Sequence, residues 1–158
     1  MTDQAPLDIG AMVAPLIAAL PHGTWPRLLA MLERVAGDRY RQWASEAPAH
    51  ADVFLACAAR EDSVADRVAA VWHVPESAIE QMTAMLPGAT AAYAGMFAGR
   101  SLRAQLELQA AAELQGEAAW QAIADGVTDA DTVSELHTCA ALERESAEAL
   151  QSVIAAIR

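Results

Sequence analysis

The chain contains no lysine. Its ten basic residues are all arginine, set against 21 acidic residues, and the net charge is −11. A surface this acidic repels nucleic acid and anionic membranes, so neither is an expected partner. The same charge is compatible with cation binding. Cysteine is nearly absent too, and two residues do not make a disulfide framework. Aromatic residues are only 5% although hydrophobic residues make up 54%. Alanine and leucine carry most of that apolar share, and both favour helix. The N-terminal apolar run, Ile9 to Leu20, is too short to span a bilayer and is interrupted by Pro15. It follows Asp3 and Asp8 in place of the basic residues of a signal peptide. The expected location is therefore the cytoplasm. No segment alternates apolar and polar residues as a half-buried strand does.

The 158 residues suit one domain with one core. Start and stop signals cut it into helices. Residues 8–20 form a short helix ended by Pro21 and Gly23, within an N-terminal segment 1–23. A first helix pair is expected over 24–73, with Thr24 as N-cap and Pro26 in the first turn of one helix and Pro48 opening the other. Pro75 and the pair Pro87-Gly88 bound a less regular region, 74–100, holding one or two short helices packed through Met82, Met85, Tyr93, Met96 and Phe97. Ser101 caps a third long helix ending at Gly126, and Thr128 caps a fourth, in a second pair over 101–158. Short loops within the pairs and a long connection between them give an up-down-down-up four-helix bundle with one crossover.

Read at helical spacing, each long helix has one core-facing stripe. The stripes run Leu29, Glu33, Ala36, Tyr40, Trp43; then Phe54, Cys57, Glu61, Val64, Val68, Val71; then Leu102, Leu106, Gln109, Glu113, Gly116, Trp120, Ile123; then Leu136, Cys139, Glu143, Ser146, Leu150, Val153, Ile157. Every stripe is apolar or small except for a Glu near its middle, and none contains arginine. The spacings recur. Tyr40 lies seven residues after Glu33 and Trp120 seven after Glu113, while Glu61 follows Glu33 by 28 and Glu143 follows Glu113 by 30. The halves are thus a duplicated helix pair offset by about 80 residues, which predicts a pseudo-two-fold axis and four Glu at one level.

Burying an ionised carboxylate without a partner costs several kcal/mol. Three arrangements satisfy four of them: hard dications held by the oxygens, protons shared at raised pKa values, or some Glu reaching solvent or arginine. Arg60 and Arg144 adjoin Glu61 and Glu143, but sequence neighbours on a helix point about 100° apart.

This pattern resembles the ferritin-like superfamily, its rubrerythrin and bacterioferritin branch in particular, over residues 24–158. The stretch "ERVAGDRY", Glu33 to Tyr40, looks like the first helix of that family. The resemblance implies a ferritin-like bundle and a metal site of iron or another divalent metal. Glu33 and Glu113 match its single carboxylates, and Glu61 and Glu143 match the Glu of its two Glu-x-x-His motifs. Relatives assemble as dimers or larger oligomers, so a homo-oligomer and an unidentified redox partner are implied. The chain departs from the family at the two histidines: Val64 and Ser146 stand three residues after Glu61 and Glu143.

Other residues near the stripe have plainer roles. Cys57 and Cys139 lie one turn before Glu61 and Glu143, where small buried residues fit; metal ligation or a disulfide is the alternative. Glu117, one turn after Glu113, is expected to face solvent, and His137 to lie off the Glu143 face. His22, His50 and His73 sit at or near helix ends. Tyr40 and Trp120 are core filler by default, with electron relay the alternative. The small residues Ala36, Gly116, Cys57, Cys139 and Ser146 leave room at the Glu level. A metal-free bundle, acting as a scaffold or holding an organic ligand there, is therefore the second reading.

Overall fold

The structure is a computed structural model that describes residues 8–157, so Asp3, the rest of residues 1–7, and Arg158 lie outside it. All regular structure among these residues is helical. Six α-helices follow in order: α1 (Ile9–Ala18), α2 (Trp25–Glu46), α3 (Ala51–Val71), α4 (Glu76–Phe97), α5 (Leu102–Asp125) and α6 (Ala130–Ala156). No helix among the described residues is long and apolar enough to cross a membrane.

The helix starts follow local chemistry. Ser101 caps α5, its Oγ accepting from the Ala104 amide at 3.3 Å. Replacing Ser101 with alanine strands that amide. The expected cost is about 1 kcal/mol, or a fall of about 2–4 °C in melting temperature by circular dichroism. Thr24 occupies the N-cap of α2 without a side-chain cap. Pro26, two residues on, has no N–H to offer, and Thr24 Oγ1 instead donates to the Pro21 carbonyl at 2.7 Å. The cap of α6 is Asp129 and not the expected Thr128. Its carboxylate accepts from both the amide and the hydroxyl of Thr132, at 2.9 and 2.7 Å. Pro48 opens a single 3-10 turn, Pro48–His50, before α3 begins.

The expectation of one or two short helices over 76–98 is corrected. A single 22-residue helix, α4, runs through Pro87. Pro87 and Thr83, whose carbonyl loses its N–H donor, both lie on the exposed side. Water can replace the lost bond there, so the helix continues. Met82, Tyr93 and Phe97 are buried along α4, and Met85 and Met96 are partly buried against the core.

The long helices pair as α2 with α3 and α5 with α6, and α3 also packs on α6. Their buried residues form two apolar clusters with the Glu level between them. One holds Tyr40, Trp43, Phe54, Cys57, Leu106 and Leu150. The other holds Ala30, Val64, Val68, Trp120, Leu136 and Cys139. Along α3 and α5 the chain meets the first cluster, then Glu, then the second; along α2 and α6 the order is reversed. The two sets of helices therefore run in opposite directions.

Candidate functional site

The apolar stripes bring the glutamates inward because, Gln109 apart, every neighbour at helical spacing is apolar or small. Glu61, Glu113 and Glu143 are buried, and Glu33 is half-buried because it borders a cavity. Carboxylate oxygens of Glu33, Glu61 and Glu143 all lie within 4.8 Å of one another. Glu113 stands beside this trio with donors of its own. Its Oε1 accepts from Tyr40 O–H and from Gln109 Nε2, each at 2.6 Å. Gln109 is oriented in turn by Tyr93, whose hydroxyl donates to Gln109 Oε1 at 2.6 Å.

The remaining donors are few. Trp120 Nε1 donates to Glu143 Oε1 at 3.1 Å, and Ser146 Oγ donates weakly to Glu61 Oε1 at 3.4 Å. Tyr40 and Trp120, equivalent by the internal repeat, each aim a donor at a core carboxylate. Oε2 of Glu61 and Oε2 of Glu113 are buried with no donor among the described residues. As carboxylates these groups are all acceptors, so only a shared proton or a cation can join them.

Burial raises the pKa of Glu33 to about 8, reinforced by the charge of Glu113 and opposed by hydrogen bonds from its neighbours. Glu61 and Glu143 are likewise pushed well up, first by desolvation and then by the other carboxylates. Among the described residues no arginine pairs with these carboxyls: Arg60 pairs with Glu145 at 3.1 Å and Arg144 with Glu117 at 2.7 Å.

Gly116 faces Glu143 directly. A Cβ at that position would lie 2.9 Å from Glu143 Oε2 and 3.0 Å from its Cδ. The glycine is what lets the Glu143 carboxylate lie against α5.

Several neighbouring residues sit where spacing alone did not put them. Glu117 is buried, not solvent-facing. One turn beyond Glu113 the helix has rotated about 40°, which turns Glu117 toward Arg144 on α6 instead of the carboxylate trio. Cys57 and Cys139 are both free and buried, in different apolar clusters on either side of the Glu level, so no disulfide joins them. Burial lifts their thiols to about 11 and about 12, which keeps them protonated. Val64 is packed in the second cluster, and Ser146 supplies only its hydroxyl. His22, His73 and His137 are exposed and His50 is half-buried. The roles of Gln109 and Tyr93 were missed from sequence. The available signal was a glutamine four residues before Glu113 in an otherwise apolar stripe.

The arrangement can hold a cation, hold a proton between carboxyls, or do each in turn as pH changes. No family model, curated protein or solved structure matches the chain.

Proposed function

We propose that the protein binds a divalent metal ion through Glu33, Glu61 and Glu143, with Glu113 as the adjoining fourth carboxylate, in a ferritin-like bundle. The observation that carries this reading is the buried, donorless Oε2 of Glu61, in a side chain whose carboxylate meets those of Glu33 and Glu143 within 4.8 Å. Leaving such an oxygen unsatisfied in the core is costly, and one divalent cation offsets two of the three charges while a proton held on the third carboxyl neutralises the rest.

The donor set consists of oxygen alone. It suits hard cations such as magnesium, manganese, calcium or iron(II). The ferritin-like resemblance favours iron, but Val64 and Ser146 supply no imidazole. The reading is therefore one hard dication per chain, held more weakly than in a site with two histidines. A metal ion there supplies Lewis acidity, and iron would add one-electron chemistry. The repeated spacing of the glutamates and the opposed helix directions support the same ferritin-like ancestry.

Elemental analysis of protein purified without a chelating tag tests this. About one equivalent of divalent metal per chain is expected, as for a preformed site whose ligands are in place. Glu61→Gln combined with Glu143→Gln should lose the metal while keeping its helical circular dichroism. Metal-free protein that also takes up none of these ions in titration overturns the reading. A scaffold or ligand-binding bundle then becomes the better account.

A further inference from the structure

A cavity of about 610 Å³ lies between α1, α2 and α5 and opens onto the carboxylates. Its walls are largely apolar, with Val13, Ile17, Leu29, Leu32 and Ala119 among them; its acidic residues are Glu33, Glu113 and Glu143 and, at the start of α1, Asp8, whose Oδ1 accepts from the Ala11 amide. The volume is that of a small-molecule site and not of a packing defect. Helix α1 covers it, tied down where the Ile9 amide donates to Gln115 Oε1 at 2.9 Å.

The polar groups decide what fits. Among the described residues, no arginine or histidine lines the cavity. The donors near the carboxylates are already engaged: Trp120 Nε1 by Glu143, Tyr93 O–H by Gln109, and Gln109 Nε2 by Glu113. An anionic head group would meet carboxylates without a donor. A neutral hydroxyl brings only one donor. A protonated primary amine brings three donors and a positive charge, and Glu113 Oε2 has no donor among the described residues.

We propose that this cavity binds an apolar small molecule ending in a protonated primary amine, its body among the apolar walls and its ammonium against Glu33, Glu113 and Glu143. The site is distinct in kind from the metal reading and needs no metal. The two cations share oxygens, so each excludes the other.

The test is calorimetric titration of chelator-treated protein, in amine-free buffer, with hexylamine, octylamine and decylamine. Affinity should rise about three- to fourfold with each added methylene as the apolar walls are filled. Octanol and octanoate should bind at least about tenfold more weakly than octylamine, since they forgo the charge-assisted hydrogen bonds. Ala119→Phe narrows the cavity from a wall position that carries no carboxylate. It should weaken octylamine and decylamine by at least about tenfold, because less of the chain can be buried, and leave metal uptake unchanged. Glu33→Gln should weaken octylamine by about tenfold. Equal binding of octanoate or octanol, no chain-length dependence, undiminished binding in Ala119→Phe, or no binding by any of the amines would each overturn the proposal. Metal uptake by Ala119→Phe is read separately, so the two readings fail independently.

Discussion

The metal-free protein is expected to lose stability as pH rises from about 5 to about 8, and a divalent cation to restore it. The direction follows from Glu33, whose carboxyl has an ordinary value of 4.5 and is raised to about 8 in the fold. Between those values the folded chain holds a proton that the unfolded chain has released. Stability is therefore complete below about 4.5 and is lost progressively up to about 8. At pH 7 the loss from this one group is on the order of 2–3 kcal/mol. That corresponds to roughly 5–10 °C of melting temperature for a chain of this size. Glu61 and Glu143 are displaced in the same direction and add to it. Metal binding reverses the slope, because the ligands must be deprotonated and high pH favours that form. Thermal melts in chelator and in excess manganese, across that pH range, measure both effects. In Glu61→Gln, which removes one charge at constant shape, the chelator melts should fall less steeply and the manganese gain should shrink. A chelator melting temperature that stays flat from about pH 5 to 8 would show that the carboxyls are not held protonated by the fold.

Trp43→Ala is expected to cost about 3–5 kcal/mol, at the upper end for a single core position. Trp43 is fully buried and its ring contacts three others, with centroids 5.4 Å from Tyr40, 6.1 Å from Phe54 and 5.4 Å from Phe97. The guanidinium of Arg39 lies 5.0 Å from its ring centre. Its indole N–H donates to Gln105 Oε1 at 2.8 Å, so the truncation also removes a donor from a partly buried amide. Urea unfolding should show a lower midpoint with little change in slope. Because Trp43 sits one turn beyond Tyr40, which holds Glu113, the cavity should also loosen the carboxylate level. Trp43→Phe keeps most of the ring volume and should recover more than half of the loss. A loss below about 1 kcal/mol in the alanine variant would mean that the aromatic cluster collapses onto the void, contrary to the packing described.

Much of this architecture was legible in the residues. Proline and glycine marked the ends of the helices, and the helical period placed Glu33, Glu61, Glu113 and Glu143 inward because nothing else polar shared their stripes except Gln109 and Ser146. The illegible parts involve contacts between helices. Pro87-Gly88 reads as a break, yet α4 passes through because its unsatisfied carbonyl faces water, a property of orientation and not of sequence. Glu117 reads as a surface residue until Arg144 from another helix is set beside it. The separation of Glu113 from the other three depends on Tyr40 and Gln109 converging from two helices. The cavity under α1 follows from how a ten-residue helix lies across two others, and no local pattern encodes that.

Gly116 limits how alike the two halves can be. By the repeat offset its counterpart in the first half is Ala36, whose methyl group is accommodated, buried at the edge of the cavity. The same methyl at 116 would intrude on the Glu143 carboxylate. The two halves are therefore no longer interchangeable parts. A recombination that copied the first half over the second would bring alanine to 116 and displace one of the glutamates. At this level of the bundle the two halves share a spacing but not a fit, so the likeness between them stops short of interchangeable side chains.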